Sequence, residues 1–129
     1  MFIIKIPSRI REKDRVYAYV VNLCKALNVH RLRNREITIR FKRVMDDDAW
    51  GYCNGDFNDI EIEINRTIPF EDQMQTLAHE MVHAKQFLRK ELDGNLWKKR
   101  NYEHREYEDQ PWEKEANKLE EKLYKRCFI

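Results

Sequence analysis

The sequence predicts an α+β fold in which a small mixed or antiparallel sheet of about three strands packs against three helices. Apolar residues recur at helical spacing in three long segments, and they alternate with polar residues in shorter segments between the first two. Only three glycines and three prolines occur among 129 residues, so we expect long elements and few loops. A chain of this length is expected to form one domain, residues 1–129, and to bury roughly two-thirds of its unfolded surface.

The three helices are predicted from apolar residues three or four positions apart. The first covers residues 11–28, and its apolar positions are Val16, Val20, Leu23, Cys24 and Leu27. The second runs from Pro69, which suits a first helical turn, to about Leu92, with the apolar positions Met74, Leu77, Ala78, Met81 and Leu88. The third begins near Pro111, with Trp112, Ala116, Leu119 and Leu123 on its buried side. The polar connection before it, residues 93–110, is long enough to suggest a functional loop.

The strands are predicted from side chains that alternate with a period of two. From Ile37, apolar residues face one way and Thr38, Arg40 and Lys42 face the other. Residues 50–53 form a possible short strand after the turn at Asp46–Asp48, and residues 59–65 alternate again. If the two longer strands share a sheet, the acidic face of the second lies near the basic face of the first.

Composition indicates a globular protein with a charged surface, since 37% of the residues are charged and 42% are apolar. No apolar run approaches the ~20 residues of a membrane span, and the N-terminal apolar stretch is too short for a secretory signal. The three cysteines, Cys24, Cys53 and Cys127, are widely spaced and odd in number, which favours a reducing compartment. We therefore expect a cytoplasmic protein without a membrane partner.

The formal net charge of +2 conceals a partition along the chain. Residues 1–44 contain 12 basic and 3 acidic side chains, whereas residues 45–72 contain 1 and 9. Residues 73–129 are nearly neutral, with 12 basic and 11 acidic side chains. A basic first third invites a nucleic-acid interpretation.

The second helix contains the motif His79-Glu80-Met81-Val82-His83. Histidines four residues apart lie on one face of a helix, where both imidazoles can bind a single Zn²⁺ and the glutamate can reach a metal-bound water. At about 100° per residue, both histidines lie well away from the apolar stripe of this helix. The motif therefore predicts a zinc site.

A catalytic zinc ion needs a third protein ligand and an open fourth position. An extended metzincin pattern would place glycine and histidine where this chain has Gln86 and Arg89. Glu113 is the preferred third ligand because a helix holds it rigidly, while His104 and Glu115 remain alternatives. Asn117, one turn after Glu113, is expected to hydrogen-bond the free nitrogen of a ligand histidine.

The histidine motif followed by Glu113-x-x-Ala116-Asn117 resembles the gluzincin metallopeptidases, most closely the minigluzincins. The chain is also similar to ImmA/IrrE-like and SprT-like peptidase cores over about residues 37–125. The resemblance implies a zincin-like domain with His79, His83 and Glu113 as zinc ligands and Glu80 as general base. It also implies an edge strand beside the cleft, formed by Ile60, Glu61, Ile62, Glu63 and Ile64. SprT-like proteins use a third histidine, for which this chain has only His104.

These inferences predict a zinc-dependent metalloendopeptidase that hydrolyses peptide bonds through a metal-activated water, with Glu80 as general base. Its partner would be a peptide or protein substrate, paired in extended form with the strand at residues 60–64. Tyr102, His104 and Tyr107 are candidates for stabilising the transition state.

Two other functions remain open at this stage. One is a nucleic-acid-associated binding protein, or a SprT-like DNA-associated protease, based on Arg31, Arg33, Arg35, Arg40, Lys42 and Arg43. Pairing between the strands would leave chiefly Arg31, Arg33 and Arg35 for that role. The other is a metal-stabilised scaffold without turnover, in which the protein closes the fourth coordination position.

Overall fold

The structure, a computed structural model, describes residues 2–93, 96–98, 100–101 and 110–129. Within these residues it has the predicted α+β class. The helices are α1 (Lys13–Ala26), α2 (Phe70–Leu88) and α3 (Pro111–Cys127), and the main sheet contains β1 (Phe2–Lys5), β2 (Arg35–Lys42), β3 (Gly51–Gly55) and β4 (Asp59–Asn65). None of the described helices has the length and apolar character needed to cross a membrane.

The main sheet is mixed, with the strand order β1-β2-β4-β3. β1 and β4 both run parallel to β2, and β3 is antiparallel to β4. Within the described residues the main sheet thus has four strands, whereas about three were expected. The additional strand is β1, whose four residues are too few for alternation to mark it in the sequence.

One face of this sheet carries the helices. Every second residue of β2 and β4 is buried in a core shared with α1, α2 and α3: Ile37, Ile39, Phe41, Ile60, Ile62 and Ile64. The apolar residues predicted for α2, from Met74 to Leu88, are also buried there. The alternating pattern therefore correctly assigned the inward face of both strands.

The opposite face of the sheet is polar and carries the expected cross-strand charge pairs. Arg40 Nε lies 2.9 Å from Glu61 Oε1, and Lys42 Nζ lies 3.0 Å from Glu63 Oε2. Each pair is diagonal, because Arg40 is directly opposite Glu63 in the register. Such exposed pairs contribute about 0–1 kcal/mol each. They account for part of the charge partition between the first and second segments of the chain.

The expectation that residues 60–64 form an edge strand is wrong. β4 lies inside the sheet, with β2 on one side and β3 on the other, so its backbone has no free edge. The edge strand on this side of the sheet is β3, which precedes β4 in a hairpin. Gly55 opens the connection with φ of +145°, and a Cβ there would lie 2.2 Å from the Asp59 carbonyl oxygen. Only glycine fits this turn. After the turn the chain continues as β4, which pairs with β3 on the side that faces β2.

Helix α3 is held against α1 and α2, and this contact brings Glu113 to the motif helix. Ala116 is fully buried, and its small side chain allows a close approach. At the far end of α3, the Asn22 side chain donates to the Cys127 carbonyl oxygen at 3.0 Å. The Tyr19 hydroxyl of α1 donates to the Met74 carbonyl oxygen of α2 at 2.8 Å. α1 thus fixes the two other helices relative to each other.

The long connection before α3 contains short paired segments. Helix α2 ends at Leu88 instead of about Leu92, because Leu92 enters a small antiparallel sheet. Its strands are β5 (Leu92–Asp93), β6 (Leu96–Trp97) and β7 (Arg100–Asn101). Leu92, Trp97 and Trp112 form a second apolar cluster that attaches this sheet to the start of α3.

Two neighbouring substitutions test the register of β4. Ile62→Ala should lower the free energy of unfolding by about 2–5 kcal/mol, because Ile62 is fully buried. Glu61→Ala should lower it by less than about 1 kcal/mol, because it removes only the exposed pair with Arg40. Urea denaturation of both variants measures the difference. Equal losses would contradict the assignment of the two faces.

Candidate metal centre

The motif helix α2 presents its two histidines towards α3. His79 and His83 are one turn apart, their ring centroids are 4.9 Å apart and the ring planes are nearly perpendicular, at 79°. The side chain of His83 is 8% exposed and that of His79 is 15% exposed. The apolar stripe of α2 faces the sheet, so the histidines lie outside the main apolar core, as their spacing predicted.

Glu113, in the first turn of α3, lies between the two histidines. Its Oε1 is 3.1 Å from His79 Nε2, and its Oε2 is 3.1 Å from His83 Nε2. The side chain of Glu113 is 6% exposed. The structure therefore brings together the three residues predicted as ligands, although 34 positions separate His79 from Glu113 in the sequence.

The spacing of these atoms fits a metal ion. One ligand atom from each residue lies within 4.8 Å of the other two. A tetrahedral ion with bonds of about 2.1 Å needs ligand atoms about 3.4 Å apart. The two 3.1 Å separations, which run to different oxygens of Glu113, would widen slightly, and separations of up to 4.8 Å within the set would shorten. Two imidazole nitrogens and one carboxylate oxygen are donors that suit a first-row transition metal. These residues can therefore hold such an ion.

Without an ion, the three side chains compensate one another electrostatically. Burial alone would raise the pKa of Glu113, but hydrogen bonds from both histidines lower it to about 2. Burial would depress the pKa of each histidine, and the contact with Glu113 outweighs burial and raises both. The metal-free site thus favours protonated histidines around an ionised carboxylate, and an incoming cation replaces those protons.

Glu80 shares the cleft with His83 and Glu113 and lies close to the edge strand. Burial raises its pKa to about 7, and the neighbouring histidines only partly oppose that effect. Gly51 of β3 packs directly against it: a Cβ at residue 51 would lie 2.7 Å from Thr76 Cγ2 and 3.1 Å from Glu80 Oε2. The absent side chain at Gly51 leaves the space that the Glu80 carboxylate occupies.

The residues that lie nearest the outer ring nitrogens do not include Asn117, and one of them, Gln86, forms a hydrogen bond. Asn117 is exposed, and no hydrogen bond joins it to His79 or His83. Instead, His83 Nδ1 is 2.8 Å from Gln86 Oε1, and His79 Nδ1 is 3.6 Å from Glu120 Oε1. Asn117 follows Glu113 by one full turn, but α2 is packed on the side of α3 that carries Ala116 and Glu120. The sequence prediction for Asn117 is therefore wrong.

Gln86 is fully buried and has a defined orientation. Its Nε2 donates to the Trp112 carbonyl oxygen and to Glu115 Oε1, both at 3.0 Å. Because both partners only accept hydrogen bonds, the amide oxygen must face His83, and His83 Nδ1 must donate. The remaining nitrogen, Nε2, is then the one directed at Glu113 and free to bind an ion.

Glu115, an alternative third ligand, is engaged elsewhere. Its Oε1 accepts from Gln86 and lies 2.9 Å from Lys85 Nζ. The same ammonium lies 2.7 Å from Glu91 Oε1. Lys85 thus connects the end of α2, the segment after it and the start of α3. Glu115 supports the site through Gln86 and is not directed at the histidines.

An open cleft of about 470 Å³ gives access to these groups. Glu80, His83 and Glu113 line one side of it, and Phe87, Leu92 and Trp112 form an apolar wall. The edge strand contributes Gly51, Tyr52 and Cys53. The thiol of Cys53 stays protonated, because burial and the nearby Glu80 carboxylate raise its pKa well above its usual value.

Three predicted site residues, Tyr102, His104 and Tyr107, lie outside the described residues. Their suggested role at the transition state stays a prediction, as does the alternative of His104 as a ligand. Two residues of the described site, Gln86 and Gly51, had no assigned role in the sequence analysis. Gln86 is three positions after His83, a spacing that places both on one helix face and was the available signal. No local pattern marks Gly51, since its role depends on a strand packed against α2.

Comparisons with protein-family models, with curated protein sequences and with solved structures find no match to this chain. The interpretation of the site therefore depends on its residues and geometry.

The metal-free triad should stabilise the fold in a restricted pH range. The lowered pKa of Glu113 contributes stability above its usual 4.5, and this contribution is lost as the pH falls towards 2. The raised histidine pKa values contribute stability below their usual 6.5, which is lost as the pH rises through the raised values. In EDTA, the difference in unfolding free energy between wild type and Glu113→Gln should therefore be largest between pH 4.5 and 6.5. A difference independent of pH would contradict this assignment.

Gln86→Met should weaken metal binding by about 10–100-fold, because His83 loses the acceptor that fixes its tautomer. Competition with a chromophoric zinc chelator measures the dissociation constant. Gln75→Met is the matched control, since Gln75 lies half-buried on the same helix and makes no side-chain hydrogen bond with the described residues. Unchanged zinc affinity in Gln86→Met, or an equal loss in Gln75→Met, would refute the role of Gln86.

Proposed function

We propose that this protein is a zinc-dependent metalloendopeptidase with a zincin-like fold of the minigluzincin type. His79, His83 and Glu113 hold the ion, and Glu80 is the general base. The observation that carries the proposal is the Glu113 carboxylate, which lies 3.1 Å from the Nε2 atoms of both motif histidines in a cleft that also contains Glu80.

The number of protein ligands favours catalysis over a purely structural role. A structural zinc site is usually closed by four protein ligands, whereas a catalytic site has three and leaves a position for water or substrate. Among the described residues, the candidate metal cluster consists of His79, His83 and Glu113. The adjoining cleft is open and large enough for a peptide side chain. This combination supports turnover more than a metal-stabilised scaffold.

Zinc held by these residues would supply a Lewis acid that polarises a carbonyl group and lowers the pKa of water to about 7. Glu80 takes the proton of the attacking water on its carboxylate and returns it to the nitrogen of the departing amine. In the metal-free site burial raises the pKa of Glu80 to about 7, which brings this carboxyl into the range where it accepts and releases a proton near neutral pH. A bound cation would lower that pKa. His83 stays oriented throughout, since Gln86 holds its Nδ1.

An extended substrate would bind along β3. The sequence had instead suggested β4. In the described structure β3 pairs only with β4, so its outer backbone edge is available for a peptide strand. Gly51 places this edge directly beside Glu80. Main-chain hydrogen bonds would then bring the scissile bond to the base with little dependence on substrate sequence, while Phe87, Leu92 and Trp112 favour an apolar side chain in the cleft.

Two variants separate catalysis from metal binding. Glu80→Gln should bind zinc with nearly wild-type affinity but hydrolyse peptide bonds at least about 100-fold more slowly, because the proton acceptor is lost. Glu113→Ala should lose zinc and activity together, because it removes a ligand. Cleavage of fluorescently labelled casein, with zinc content measured by mass spectrometry, tests both.

Glu61→Gln, on the exposed face of the sheet, is the control and should retain both zinc and activity. Wild-type cleavage by Glu80→Gln would contradict the mechanism. A zinc-loaded wild type that cleaves no unfolded protein would instead identify the site as a scaffold.

A further inference from the structure

Arginines follow the carboxyl end of each of the three parallel strands. Arg9 and Arg11 follow β1, Arg43 follows β2 and Arg66 follows β4. The Arg66 amide donates to the Lys42 carbonyl oxygen at 2.9 Å, which places Arg66 and Arg43 at neighbouring strand ends. In sheets with parallel strands, ligands commonly bind outside the carboxyl ends of the strands. The sheet thus has positive charge at the carboxyl ends of its parallel strands, where such sheets bind ligands.

These arginines line a pocket that is separate from the candidate metal centre. Arg11, Arg43 and Arg66 surround a volume of about 490 Å³, within the usual range for small-molecule sites. Its apolar surface comes from Ile10, Phe41 and Phe70, and Thr67 and Gln73 complete it. No acidic side chain is among its described lining residues. The two sites share no described residue. Gln73 lies about 9 Å along the α2 axis from His79.

The arginines of the pocket lack the compensation found elsewhere on the sheet. Lys5, Arg40 and Lys42 each lie within 3.0 Å of a glutamate oxygen. In the described part of the chain, no carboxylate lies within ion-pair distance of Arg11, Arg43 or Arg66. Arg66 Nη2 donates to the Arg9 carbonyl oxygen at 2.8 Å, which orients the guanidinium without neutralising it. The pocket therefore presents converging positive charge to solvent.

We propose that this pocket binds a small molecule that carries a phosphate group and an apolar or aromatic part. Guanidinium groups match the geometry of phosphate oxygens and form strong charge-assisted hydrogen bonds with them. Phe41, Phe70 and Ile10 would contact the apolar part. The proposal is independent of the peptidase activity proposed above, since it uses other residues.

The surroundings favour a compact ligand over a nucleic-acid strand. Asp46–Asp48 follow Arg43 closely in the chain, and Glu71 and Asp72 occupy the first turn of α2 beside Phe70. A phosphate backbone that extended from the pocket towards these carboxylates would be repelled, whereas a single phosphate group would need only the arginines. A polyanion needs a continuous basic track, whereas the described lining of this pocket supplies three arginines.

The proposal is tested by titrating the protein with phenyl phosphate, inorganic phosphate and a ten-nucleotide oligothymidylate. Binding is measured by amide chemical shifts and by calorimetry. EDTA-treated protein is used first, because zinc itself binds phosphate, and zinc-loaded protein second. Phenyl phosphate should bind about ten-fold tighter than inorganic phosphate or more, since only it buries apolar surface. The largest shifts should fall at residues 10–11, 43 and 66–70.

Arg43→Gln and Arg11→Gln should each weaken phenyl phosphate binding about ten-fold or more. Arg66→Lys provides a third variant that keeps the charge but loses the planar guanidinium, and it should also weaken binding. Lys42→Gln is the matched control: it removes the same charge one residue away, on the other face of the sheet, and should change affinity less than two-fold.

Three results would overturn the proposal. The first is the absence of binding at 10 mM phenyl phosphate, a roughly hundred-fold excess over a typical ~0.1 mM protein sample. The second is an equal loss in Lys42→Gln and Arg43→Gln, which would indicate general charge attraction. The third is tighter, steeply salt-dependent binding of the oligonucleotide, which would identify a nucleic-acid surface instead.

Discussion

The carboxylate of Glu113 is buried between two imidazole rings, and the arrangement of α2 and α3 depends on its compensation there. An isolated buried carboxylate is strongly unfavourable, so α3 can pack in this position only because His79 and His83 meet both of its oxygens. The contact joins a short-range motif to a residue 34 positions later. Helix packing and the chemistry of the site are therefore one constraint, because the side chains proposed to bind a cation are those that lie between the two helices.

Around this contact, a polar network fixes the orientation of His83. Gln86 donates both amide hydrogens to acceptors and offers its oxygen to His83, so neither the amide nor the ring can rotate without losing a buried hydrogen bond. Lys85 forms ion pairs with both Glu115 and Glu91 at the border of this network. Metal binding would draw the three ligand atoms, which lie within 4.8 Å of one another, to the shorter separations that an ion needs.

Local patterns predicted the parts of the fold that depend on nearby residues. Helical spacing placed His79 and His83 on one face, and alternation assigned the inward side of β2 and β4 correctly. Glu113 was predicted as one of several candidates, because the choice among them depends on how two distant helices meet. The assignment of residues 60–64 to an edge strand was wrong for the same reason: a hairpin can place either of its strands at the edge, and the choice depends on tertiary packing. Gln86 and Gly51 act through tertiary contacts that no sequence window contains.

Gly51 has a further consequence for how this protein can vary. The sheet edge approaches α2 so closely that even a methyl group at residue 51 would enter the space of Thr76 and Glu80. A side chain there would have to displace either Glu80, the proposed base, or β3, the strand proposed to hold the substrate. Position 51 therefore does not tolerate a larger side chain. The reason is steric, and a measurement of the free energy of unfolding alone would not reveal it. A variant at this position can remain folded and still separate two parts of the cleft that work only at contact distance.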